Sequence, residues 1–143
     1  MDDIAELADR VVASPSDPDA KRAFLEQLTR CKDAVALRQL AENFSPHTEV
    51  SIPLYERALE LAPEDVATIS ALGFLEFLDG EDDAAHAQLE RARLIDGNAV
   101  PVLTLEAALA RTTDEKVSLY RRILEMAPTN RIARAQLARL QKS

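Results

Sequence analysis

Cysteine occurs once, histidine twice and tryptophan not at all in the 143 residues, and there are only three glycines. A single cysteine, Cys31, cannot form an internal disulfide, which fits a reducing compartment. Two histidines and one cysteine are too few for a convincing metal or nucleophile site. No stretch approaches the roughly 18 apolar residues that a membrane-spanning helix needs. The opening MDDIAELADR lacks the basic end and apolar centre of a secretory leader, so the expected location is cytoplasmic. Glycine-rich phosphate loops and the G-x-S-x-G elbow are absent too. Positive charge is scarce over most of the chain. Residues 1–115 hold 24 acidic and 10 basic side chains, a balance of −14, whereas residues 116–143 set seven cations against Glu125 alone, a balance of +6. The net −8 argues against nucleic acid, whose phosphates need clustered Lys and Arg. The basic end is either a solvated helix pair or a docking end.

What is abundant forms helices: the chain is 47% apolar and rich in Ala, Leu, Glu and Arg. Apolar spacing predicts a first helix over Asp2 to Ala13, with Ile4, Leu7, Ala8, Val11 and Val12 on one face. SPSDPD (Ser14 to Asp19) breaks it. A second helix covers Asp19 to Arg30, Asp33 caps a third over Ala34 to Asn43, and SPHT (Ser45 to Thr48) turns the chain. Ser51 reads as the cap of helix four, with Pro53 in its first turn. Helix five, Val66 to Leu78, is apolar nearly all round, which means burial on two sides or an adhesive surface. Gly80 turns the chain into helix six, Asp82 to Ile95, and Asn98 caps helix seven. Thr112 opens helix eight, Asp114 to Met126, and Asn130 starts a closing ninth.

One element returns. Shifting SIPLYERALELAP (Ser51 to Pro63) by 65 residues places Leu54, Tyr55, Arg57, Leu59, Glu60, Ala62 and Pro63 on identical residues between Leu119 and Pro128. Shifting it by 34 places Glu56, Arg57 and Ala58 on Glu90, Arg91 and Ala92. A helical unit recurring with a period in the thirties marks a stacked array, and such arrays bind far more often than they catalyse. Pro63 to Gly97 resembles the tetratricopeptide repeat: Ile69, Leu72 and Gly73, the turn at Gly80, then Ala85, Leu89 and Ala92 fall where that family places its packing residues. Gly73, Ala107 and Ala138 each stand ten residues past a unit's terminating residue, where a small side chain lets helices approach closely. The chain departs from the family at Glu76, where a large aromatic is usual, at Glu106, which replaces a core leucine, and at Gly97, which replaces a proline. The predicted fold is all-α, a right-handed solenoid of about nine helices in antiparallel pairs. It forms a single domain over 1–143: a helix pair at 1–32, repeats at about 33–63, 64–97 and 98–128, and a closing helix at 129–143.

No enzymatic constellation emerges. His47 and His86 fall in different units, and Tyr55 and Tyr120 are repeat-equivalent core fillers. Asp79, Glu81, Asp83 and Glu90 copy the spacing of a calcium loop, but Ala84 stands where its glycine must be. No metal or cofactor is expected. The resemblance implies instead that the first helix of each unit lines an inner, concave wall. Ser70, Phe74, Phe77 and Leu78 then look into the groove, with equivalents Thr104, Ala108, Arg111 and Thr112, and Ala135, Arg139, Lys142 and Ser143. The alternative is that Phe74 and Phe77 are covered by the N-terminal helices or by a second copy of the chain. The family's clamp for C-terminal carboxylates needs Lys and Asn on these helices, which Ser70 and Phe74 do not supply. The reading is a non-catalytic adaptor or chaperone-like module. Its partner is a protein or peptide segment with one or two bulky apolar anchors followed by acidic residues, met by Arg111, Arg139 and Lys142. The second reading is a structural protein that self-associates, as a homodimer, through helix five.

Overall fold

Wherever apolar residues recur at helical spacing, the computed structural model has a helix, and it describes residues 2–45 and 47–142. Pro46 of the SPHT turn and the groove position Ser143 lie outside the described residues. The helices are α1 (Asp2–Ala13), α2 (Pro18–Arg30), α3 (Ala34–Phe44), α4 (Thr48–Leu61), α5 (Val66–Leu78), α6 (Asp82–Asp96), α7 (Val100–Leu109), α8 (Thr113–Met126) and α9 (Arg131–Gln141). Among the described residues there is no strand. None of the helices is long and apolar enough to cross a membrane. The chain forms two compact units, Met1–Thr68 and Ile69–Ser143, and the division falls within α5.

In the first unit α1 packs on α2, α3 packs most extensively on α4, and α4 also meets α1 and α2. Ile4, Ala8 and Val11, one face of α1, are buried with Phe24 and Leu28 of α2 and with Leu54, Tyr55 and Ala58 of α4. Caps follow the sequence where a short polar side chain precedes a helix. Asp17 accepts from Asp19 N at 3.0 Å and Asp33 from Ala36 N at 3.1 Å. Ser51 does not cap α4. The helix begins at Thr48, behind His47, which makes no side-chain cap, and Ser51 is buried inside it. Starting four residues earlier brings Val50 into the core, and that burial outweighs a good capping residue. Pro53 therefore stands inside the helix rather than in its first turn and forfeits one backbone bond.

In the second unit the core joins Leu103 and Ala107 of α7, Tyr120 and Ile123 of α8, and Ala133 and Leu137 of α9. The repetition read from the sequence is a repetition of backbone geometry. Ala62 closes α4 at φ −137°, ψ 77°, and Ala127 closes α8 at φ −138°, ψ 79°. Each donates its N–H to the carbonyl four residues back, Ala58 and Ile123. Asp65 and Asn130, again 65 apart, then serve the next helix, Asp65 accepting from Ala67 N and Asn130 from Ala133 N. Arg57 and Arg122 repeat as pins. Arg57 donates to the carbonyls of Leu28, Thr29 and Cys31, ahead of α3, and Arg122 donates to Asn98 Oδ1, ahead of α7. Asn98 is thereby engaged, and Ala99 takes the cap position it was expected to hold.

Gly73 behaves as a close-approach residue. A Cβ there would lie 2.8 Å from Leu105 Cδ2 and 3.0 Å from Gln88 Cβ, so α5 passes both α6 and α7 with no room for a methyl group. Ala107 is buried likewise, but Ala138 is exposed, since no element of the described residues packs on that side of α9.

Candidate functional site

A helix with apolar residues all round can bury only the sides its neighbours cover, and α5 leaves one side open at its C-terminal turn. Phe74 is 40% exposed and Leu78, one turn on, 55% exposed, with Phe77 half-buried beside them. The expected groove position Ser70 is not on this surface. It is 3% exposed, and its hydroxyl has no hydrogen-bond partner among the described residues. Counting every fourth residue puts Ser70 in line with Phe74, but Ser70 is buried together with Thr68 and Ile69, so burial at that turn of α5 extends to the side that is open at Phe74.

On the following first helices, Thr104 and Ala108 are half-buried and Arg111, just past α7, is exposed. Arg139, in the last turn of α9, is exposed and donates to Gln136 Oε1 through Nε at 3.0 Å and through a terminal nitrogen at 2.7 Å. Lys142 is the exposed C-cap of that helix.

Arg139 acts on a residue that counting first-helix positions did not bring out. Lys116 of α8 donates through Nζ to the carbonyls of Ala107 and Ala108, at 2.8 and 3.2 Å, closing the C-terminal end of α7. Burial, with the Arg139 charge nearby, holds its pKa below the ordinary lysine value. The signal for it was the run of cations from Lys116 to Lys142. Tyr120, also facing Arg139, is pushed up by burial, and the repeat-equivalent Tyr55 is pushed up to about 12 by burial and by Glu42. Both phenols are buried, consistent with packing positions. Of the histidines, His47 is exposed beside Glu49, and His86 lines an open groove on the second unit. Among the described residues no three His, Cys, Asp or Glu side chains gather as a metal site requires.

That groove has a volume of about 620 Å³ and runs between α6 and α8 over the end of α7. Its wall contains Glu106, and the Arg93 guanidinium donates to Glu106 through Nε at 2.9 Å and to Glu90. The hydrogen bond to Glu106 raises the Arg93 pKa further. A charged pair thus stands where the repeat pattern calls for a packed leucine.

No family profile matches the chain, and no curated protein matches it in sequence. Among solved structures it is similar to the first TPR domain of Spaghetti (RPAP3) bound to the HSP90 peptide SRMEEVD. The TM-score is 0.59 at 16% identity, over 76% of this chain and 90% of that one. The fold is an all-α, tetratricopeptide-like helical-repeat solenoid.

Proposed function

We propose that the chain is a non-catalytic adaptor or chaperone-like module of the cytoplasm. It binds a protein segment on the face formed by Phe74, Phe77, Leu78, Arg111, Arg139 and Lys142. The observation that carries this reading is the exposed pair Phe74 and Leu78, one turn apart on a helix that buries Ile69, Leu72 and Leu75. Large apolar side chains presented this way accept apolar anchors, which usually dominate binding energy. The cations on α9 and past α7 steer and orient an acidic flank more than they add affinity. The similar fold holding SRMEEVD, a peptide with a methionine, a valine and three acids, supports a segment of this character. A tail carboxylate is not the key feature here, because the expected clamp side chains are absent from α5.

Selection of random 12-residue peptides displayed on phage tests the proposal. The enriched class should carry one or two bulky apolar residues followed by Asp or Glu. It should be lost on Phe74→Ala/Leu78→Ala and bind more slowly to Arg111→Glu/Arg139→Glu. The second reading, self-association as a homodimer, rests on the same exposed pair. Light scattering separates the two, since a monomer at all concentrations removes it.

A further inference from the structure

The groove between α6 and α8 belongs to a different side of the second unit. At about 100° per residue, Glu106 lies on the side of α7 opposite Thr104 and Ala108, with Leu109 between that side and Ala108. Leu89 and Leu109 supply an apolar floor, with Leu119 half-buried beside them. At 620 Å³ it is in the size range of side-chain and ligand pockets. Its charge is one-sided. Arg93 is committed to Glu106 and Glu90, whereas the exposed Asp114 and Glu115 on the rim make no ion pair among the described residues. The opening coincides with the substitution of Glu106 for a packing leucine, so the seam is left unfilled where the repeat pattern would fill it.

We infer that this groove is a second docking site, for a linear segment of a partner protein bearing an aliphatic anchor flanked by Lys or Arg. The anchor rests on Leu89, Leu109 and Leu119, and the cation meets Asp114 and Glu115. Charge complementarity selects this occupant and disfavours the acid-flanked segments expected at Phe74. The two sites therefore take opposite ligands, and either can fail alone.

The same 12-residue peptide selection tests it, run on the full chain and on Ser118→Trp, which fills the groove from an exposed position. The expected result is a basic-aliphatic class that survives Phe74→Ala/Leu78→Ala but is lost on Ser118→Trp. Asp114→Asn/Glu115→Gln, a milder change checked for an unaltered melting curve, should weaken that class by about tenfold and flatten its salt dependence. Absence of the class, or its persistence on Ser118→Trp, overturns the inference. So does concentration-dependent self-association that Ser118→Trp abolishes, because the occupant is then a second copy of this chain.

Discussion

The three glycines of this chain should respond differently to the same substitution, and the reasons differ. At Gly73 an added methyl group meets Leu105 Cδ2 at 2.8 Å and Gln88 Cβ at 3.0 Å. Leu105 is buried and has no solvent to swing into, and Gln88 Cβ moves only with the backbone of α6. Overpacking of this kind costs about 1–3 kcal/mol. Gly→Ala inside a helix returns about 0.5–1 kcal/mol, leaving a net loss of roughly 0–2.5 kcal/mol. Gly73→Val, with two further carbons in the same space, should lose more. At Gly80 the space is open but φ is +82°, so alanine is strained by roughly 1–2 kcal/mol while asparagine is better tolerated. Gly97 has φ −68°, and its added carbon would meet only Arg93 O at 3.5 Å. Alanine there should stabilise by about 0.4–1 kcal/mol through the unfolded chain. Urea unfolding followed by circular dichroism at 222 nm orders the three. The loss on Gly73→Ala should also shrink in a Leu105→Ala background, which removes the closer of the two contacts. If Gly73→Ala stabilises as much as Gly97→Ala, α5 does not pass α6 and α7 this closely.

Arg57→Met should lower stability by roughly 1–3 kcal/mol by removing the side-chain hydrogen bonds to the carbonyls of Thr29 and Cys31, whereas the Leu28 carbonyl keeps the Cys31 N–H. Glu60→Gln, which removes only a largely exposed ion-pair partner, should change it by less than about 1 kcal/mol in the same urea assay. Tyr55, pushed to about 12, should not ionise near pH 10 in an absorbance titration at 295 nm. The folded chain then holds a proton that the unfolded tyrosine has released. The contribution is whole below pH 10 and is lost as pH rises to about 12, so melting at pH 11 should fall below that at pH 9. Leu94 is 89% exposed, and its repeat equivalents are Glu60 and Glu125. Leu94→Glu should therefore shift the urea midpoint by no more than about 0.5 kcal/mol equivalent.

The fold was legible because its signals are local and repeat. Ala62 and Ala127 adopt the same dihedrals within a few degrees, and Asp33, Thr112 and Asn130 each accept the amide hydrogen bond that their sequence position promises. Readings failed where packing overrode a local preference. Ser51 lost its cap role to the burial of Val50, and Asn98 lost its own to Arg122. The open side of α5 was legible in part. Helical counting identified Phe74 and Leu78, which one side of α5 exposes, but could not register that Ser70, one turn earlier on that side, is buried. Lys116 and the groove beside Glu106 depend on contacts between helices, so no count along a single helix could find them.

The measurement that bears most directly on the binding face pairs stability with affinity in Phe74→Ala/Leu78→Ala. Full burial would make a Phe→Ala change cost about 3–5 kcal/mol. At 40% and 55% exposure the two residues should contribute much less to folding. The double variant should keep a melting temperature close to that of the parent and lose the acid-flanked peptides by about 2–4 kcal/mol of binding free energy. A variant that melts far lower would make the pair part of the core. One that melts normally and still binds those peptides would contradict the account, because the segment would then dock elsewhere.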